Sequence, residues 1–199
     1  MRTRTRTRTI TTAAALLLAL TACSSGDDNA KDDKPSPSGT TTTQTTPAAA
    51  PSPTPTQPRK IGQTLTFTDD MDGVTMAVTV LGYEQDTFKP QTSADEEFGT
   101  TGYTWAAVEI KACVVSGGNS GVTRYPWALA YADGARIEPS GTTYGDFPKP
   151  EYPHEAALKN GECVRGKTVF AVPAKQRPER VLYTTEALEV PAEWAVPKA

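Results

Sequence analysis

Residues 59–199 are predicted to fold as an all-β domain, an antiparallel β-sandwich of immunoglobulin-like type with about seven strands. Three observations point there. Apolar residues recur on alternate positions in short runs, and Gly, Pro and Asp separate those runs as turn residues. No stretch of the domain shows a capped helical face, beyond a single turn near His154 to Leu158. A small closed barrel would produce the same pattern, so both architectures remain open at this level.

The runs are read in chain order. Ile61 to Phe67 forms the first, and Asp69-Asp70-Met71-Asp72-Gly73 supplies a turn into Val74, Met76, Val78 and Val80, four apolar residues on one parity. The third run, residues 103–115, places Ala106, Val108, Ile110, Ala112 and Val114 on one side and Glu109, Lys111 and Cys113 on the other, as a half-buried strand requires. Tyr125, Trp127, Leu129 and Tyr131 lead to an Asp133-Gly134 hairpin that returns through Arg136 and Glu138. Asn160-Gly161 opens the next strand, with Val164, Phe170 and Val172 inward, and Val181 to Thr185 ends the series.

Composition divides the 199-residue chain into three parts. Residues 1–22 alternate Arg and Thr and then turn apolar, the order of a charged region, a short greasy region and a small-residue cleavage site. The apolar run is far shorter than the ~20 residues that span a bilayer, so it reads as a leader. Leu20-Thr21-Ala22-Cys23 resembles the bacterial lipobox, which implies cleavage before Cys23 and lipid on its sulfur. Two acyl chains, at ~0.8 kcal/mol per buried methylene, would hold such a protein on the outer face of the cell membrane. Residues 23–58 are the lipidated Cys and a Ser/Thr/Pro-rich linker with nothing to bury. The linker is expected to be disordered, with a reach of up to roughly 100 Å.

Residues 59–199 hold all three Trp, seven Tyr and five Phe, so only this part can build a core. Loss of Arg2, Arg4, Arg6 and Arg8 with the leader takes the 20 basic residues to 16 against 23 acidic ones, a net charge of -7. No basic stripe remains, which disfavours nucleic acid as a partner. With Cys23 taken by lipid, Cys113 and Cys163 are an even pair in an exported domain, and both lie on the polar parity of their strands. A disulfide outside the core or at its rim is expected.

The opening Ile61-Gly62-Gln63-Thr64, the alternating second strand, Val108-Glu109-Ile110-Lys111 and Asp133-Gly134 carry a resemblance, and Gly161-Glu162, Gly166, Phe170, Val172-Pro173 and Tyr183 complete it. From Ile61 to about Trp194 the domain resembles the telokin-like, immunoglobulin-like lipoprotein domains of unknown function of Gram-positive bacteria, relatives in fold of a secreted mycobacterial immunoprotective antigen. The resemblance implies the fold and a surface location, and it implies no activity.

Catalytic chemistry finds little support in the residues. The single histidine, His154, sits in a Pro-rich loop and reads as a solvated loop residue rather than a general base. Asp69, Asp70 and Asp72 lack the ligand spacing and closing glutamate of an EF-hand and read as a charged hairpin turn. No cofactor motif, metal site or phosphate-binding glycine loop is seen. Two long connections remain, Glu84 to Gly102 and Pro139 to Asn160. The second carries Tyr144, Phe147 and Tyr152 among prolines and is the expected contact for an envelope protein or small ligand. The chain is therefore read as a lipid-anchored surface binding or interaction module, with a carboxylate-based envelope enzyme and a structural or stress-protective envelope protein as the rival classes.

Overall fold

The structure is a computed structural model and describes residues 57–198. The leader 1–22, Cys23 and almost all of the linker 23–58 lie outside the described residues.

The strands are numbered in chain order. Four of them, β2 (Thr64–Thr68), β3 (Thr75–Gln85), β4 (Tyr103–Ser116) and β9 (Cys163–Pro173), make one antiparallel sheet in that order. A second sheet runs β1 (Arg59–Lys60), β11 (Ala192–Ala195), β10 (Arg180–Tyr183), β6 (Trp127–Ala130) and β7 (Arg136–Ile137), with only the β1–β11 pair parallel. A separate ribbon pairs β5 (Ser120–Thr123) with β8 (Glu155–Leu158). The architecture is a sandwich of two sheets rather than a closed barrel. Its core is the alternating parity that the sequence displays. Val78, Val80, Val108, Ile110, Phe170 and Val172 from the four-stranded sheet share one buried cluster with Trp127, Leu129, Val181 and Trp194 from the five-stranded sheet. Each such side chain, fully buried, contributes about 1.5–3 kcal/mol.

Three sequence expectations are corrected. The described residues hold eleven strands instead of about seven, because β1, β5, β8 and β11 are two to four residues long and give no run to read. Glu155–Leu158, expected near a helical turn, is strand β8, since its backbone pairs with β5. The helix lies elsewhere: α1 (Ala94–Phe98) is stopped at both ends, by a Ser93/Glu96 capping box and by Gly99 in the left-handed region at φ 59°.

The long connections are packed rather than free. Trp105, Ala107 and Val169 lie on the parity that points away from the main core, and they would expose an apolar half of the four-stranded sheet. Ala94 of α1 and Phe147 cover them, with Phe88 and Tyr144 at the margin, as a second small core. The chain then crosses β9 at Gly166, where a Cβ would lie 2.3 Å from the Tyr152 amide nitrogen and 2.4 Å from the Glu151 carbonyl carbon. Only glycine admits that approach. Tyr152 N–H donates to Lys167 O at 2.9 Å, and Lys167 N–H donates to Pro150 O at 2.8 Å.

Candidate functional site

Cys23 lies outside the described residues, but the other expected sites can be placed. Cys113 and Cys163 are directly opposite on β4 and β9 and form a disulfide, with the half-buried Cys113 and the exposed Cys163 on the face away from the core. The same face carries the ion pairs Arg165–Glu109 and Lys167–Glu84, each 2.6 Å long. The outer face is thus divided. Toward the disulfide it is charged, and toward Trp105 it is apolar and covered.

That division overturns the expectation that Tyr144, Phe147 and Tyr152 present an aromatic surface. Phe147 is 3% exposed and Tyr152 1% exposed, Phe147 in the outer cluster and Tyr152 in the main core. Phe147 meets the rings of Trp105 and Tyr144 edge-on, with centroids 5.0 and 5.2 Å away. Tyr144 is half-buried, and its hydroxyl donates to the Glu97 carboxylate, which also accepts from Thr142 Oγ1 at 2.6 Å. Those two hydrogen bonds hold the Glu97 carboxyl below its ordinary value, and the Glu97 contact raises the Tyr144 phenol. Aromatic content singled out this loop as the expected partner contact. Its rings are consumed by packing because β4 and β9 carry an apolar patch on the outer face that needs a cover.

His154 is exposed, and its Nε2 lies 3.3 Å from Tyr125 Oη with the rings edge to face. No nucleophile is placed beside it by that contact. Among the described residues no group of three or more His, Cys, Asp or Glu side chains is placed to hold a metal ion, and no helix is long and apolar enough to cross a membrane.

A groove of about 360 Å³ opens beside α1. One wall is the chain from Arg136 of β7 to Gly141, and the other holds Phe98, Thr100 and Tyr103. Phe98 is 49% exposed and Tyr103 38% exposed, the two large aromatic surfaces on that side. Asp95 sets the second wall. Its carboxylate accepts the backbone N–H of Gly102 at 2.9 Å and of Tyr103 at 2.8 Å, together with Thr100 Oγ1 at 3.2 Å. These bonds hold the Asp95 carboxyl below its ordinary range. β7 ends its sheet, so the groove lies at a sheet edge. A half-buried Ile137 and a buried Pro139 give apolar lining, and Arg136 and Glu138 are charged and exposed. An apolar floor with a polar rim is the anatomy of a recognition surface, and the volume falls in the range of ligand-sized clefts. Sequence reasoning missed Phe98 and Tyr103 because Phe98 is the last residue of the unforeseen α1 and Tyr103 opens the strand after it. The available signal was Ser93-Ala94-Asp95-Glu96, which has the spacing of a capping box.

No family model and no curated protein matches the chain. Among solved structures it is similar to the secreted protein MPT63 of Mycobacterium tuberculosis, at 18% identity and a TM-score of 0.52 over 68% of this chain and 94% of that one. It is also similar to the YjhA protein of Bacillus subtilis, at 12% identity and a TM-score of 0.48 over 70% and 99% of the two chains. The candidate lipoprotein YcdA of Bacillus subtilis gives 12% identity and a TM-score of 0.43 over 65% of this chain and 37% of that one. The likeness to MPT63 establishes the fold, and function has to be argued from the site.

Proposed function

We propose that the chain is a lipid-anchored interaction module on the extracytoplasmic face of the cell membrane, which meets an envelope protein through the groove beside α1. The leader order and Leu20-Thr21-Ala22-Cys23 support the anchor, and the telokin-like lipoprotein resemblance agrees with it. A disulfide between Cys113 and Cys163 suits an oxidising compartment. MPT63, which is similar in fold, is a secreted protein, and this supports an extracytoplasmic reading. The observation that carries the recognition role is the exposed pair Phe98 and Tyr103 in a preformed groove at a sheet edge. Aromatic anchors with a charged rim bind proteins because they bury large area at small cost in side-chain freedom. The open edge at β7 suits an extended segment of the partner, which would add main-chain hydrogen bonds there.

Two measurements test the reading. Cys23→Ser should leave the membrane fraction or remain unprocessed, and membrane retention with a terminus processed elsewhere would overturn the anchor. The mature Cys23→Ser chain, used as bait on solubilised envelopes, should retain a saturable partner. Phe98→Ala with Tyr103→Ala should lose that partner at least tenfold while the variant still unfolds in one cooperative melting transition. Equal retention by both baits would overturn the groove.

A further inference from the structure

The main-chain parity of the strands beside the groove shows what they offer a partner. At the hairpin leading into β7, Tyr131 N–H donates to Ala135 O at 3.0 Å and Gly134 N–H donates to Tyr131 O at 3.1 Å. These bonds set the alternation of the β6–β7 ladder, so Leu129 exchanges main-chain bonds with its partner Ile137. Arg136 and Glu138, on either side of Ile137, therefore turn their N–H and C=O away from β6. Both residues line the groove, and among the described residues no turn or loop hydrogen-bonds to their main chain.

β9 ends the other sheet and brings Ala171 to the same groove. Along that edge the fold shows what such a position takes. Lys167 N–H donates to Pro150 O, Lys167 O accepts Tyr152 N–H, and Val169 O accepts Ser140 N–H at 2.8 Å. Ala171 is the next residue of that outward parity, and the chain's own cover stops before it. Backbone that covers the edge elsewhere is thus missing beside α1. Neither described end of the chain supplies it. The chain enters the fold at β1, the opposite edge of the five-stranded sheet from β7. Near the other end, Val196 N–H donates to Glu179 O and Pro197 O accepts Arg177 Nε, each at 2.8 Å.

Side chains then select the sequence of the occupant. Arg136 and Glu138 are exposed and opposite in sign, and among the described residues neither forms an ion pair. Ile137 between them is half-buried against the main core. Residues directly opposite on an added strand share a face with these three, so unlike charges pair across the ladder and an apolar residue extends the contact of Ile137.

Resting on the groove reading above, we propose that an extended segment of the envelope partner adds to β7 as an antiparallel strand. It exchanges main-chain hydrogen bonds with Arg136 and Glu138, and it places a basic residue opposite Glu138, an apolar residue opposite Ile137 and an acidic residue opposite Arg136. Antiparallel pairing is the more stable direction per residue.

The probe is the capped peptide acetyl-Thr-Lys-Val-Glu-Thr-amide, titrated into the mature Cys23→Ser chain and followed by amide NMR shifts and hydrogen exchange. It should bind saturably, with a dissociation constant on the order of a millimolar because ordering a short free peptide offsets much of the gain. Exchange of the Arg136 and Glu138 amides should slow. N-methylation of the peptide's Lys and Glu, whose N–H groups face β7, should weaken binding about tenfold, whereas N-methylation of its Val, whose N–H faces away, should not. A peptide with Lys and Glu exchanged should bind more weakly, and Arg136→Glu with Glu138→Arg should reverse that preference. Absence of saturable binding, an equal loss on methylating Val, or indifference to charge order in both proteins would overturn the proposal. So would protection of the Arg136 and Glu138 amides that rises with protein concentration alone, which would assign the edge to a second copy. Envelope capture by the Phe98→Ala, Tyr103→Ala bait separates the two readings. Lost capture beside a peptide insensitive to methylation overturns the strand pairing alone, and retained capture beside a sensitive peptide overturns the aromatic groove while supporting the pairing.

Discussion

Replacing Phe147 by Ala separates a ring that packs from a ring that recognises. Its side chain is almost wholly buried among Trp105, Ala107, Val169 and Ala94. Removing on the order of 150–200 Å² of apolar burial costs about 4–5 kcal/mol at 25 cal/mol/Å², an upper bound because unfolded chains already bury part of it. The edge-on pairs with Trp105 and Tyr144 add about 0.5–1.5 kcal/mol each. Because the cluster lies on the outer face, the connection can lift away locally instead of leaving a void, which caps the loss. The expected result is a fall of about 3–5 kcal/mol in urea-unfolding free energy, the range of Phe→Ala in packed sites. Partner capture by the groove should persist in the fraction that stays folded. Urea titration of the mature chain, followed by circular dichroism and tryptophan fluorescence, reads the first quantity. A loss below about 1 kcal/mol together with lost capture would refute the packing account and restore Phe147 as a recognition residue.

Gly166→Ala should destabilise the domain by more than about 2 kcal/mol, read by thermal melting, because its Cβ would meet backbone atoms that cannot step aside. Arg124, buried, donates from Nη1 to Ser140 O at 3.3 Å and from Nη2 to Tyr152 O at 3.4 Å, and so ties both ends of the aromatic connection. Arg124→Ala should cost about 2–3 kcal/mol and speed hydrogen exchange across residues 140–152. Reducing the Cys113–Cys163 bridge, whose sequence separation is 50, should lower stability by roughly 4 kcal/mol on the loop-entropy scale. Docking of residues 139–149 should also depend on pH. Glu97, depressed from 4.5, contributes in full above that value and loses its contribution as pH falls through its lower folded value. Tyr144, raised from 10.0, contributes below that value and loses its contribution as pH rises through its folded value. Hydrogen exchange of this segment at acid, neutral and alkaline pH checks both signs.

The main core was legible because a half-buried strand writes its burial as a period of two. Val74 to Val80, Ala106 to Val114 and the pair Phe170 and Val172 are the buried side chains that the alternation implies. The hairpin at Asp133-Gly134 was legible for a different reason. Gly134 adopts φ 88°, a conformation that favours glycine, and Asp133 Oδ1 accepts the Ala135 N–H at 3.0 Å. Strand β11 was not legible, since Ala192 and Trp194 are two inward residues between prolines, and its parallel partner β1 is distant in sequence. The outer cluster escaped for a similar reason. Trp105, Ala107 and Val169 read as the polar-side parity of two strands, and only the folded path of both long connections shows that this parity is covered as well. The groove follows from that cover, because α1 seals Trp105 while leaving Phe98 at the rim, where it meets Trp105 at a centroid distance of 6.1 Å.

Site-specific photo-crosslinking on intact cells tests the central claim most directly. A photoreactive residue at position 98 or 103 addresses the groove. The same residue at Val190, which is exposed outside the groove lining, controls for chance encounters. The account predicts one envelope-protein adduct from positions 98 and 103, absent from position 190 and lost when Cys23→Ser releases the chain from the membrane. Adducts of equal yield from position 190, or none from the groove positions, would contradict it.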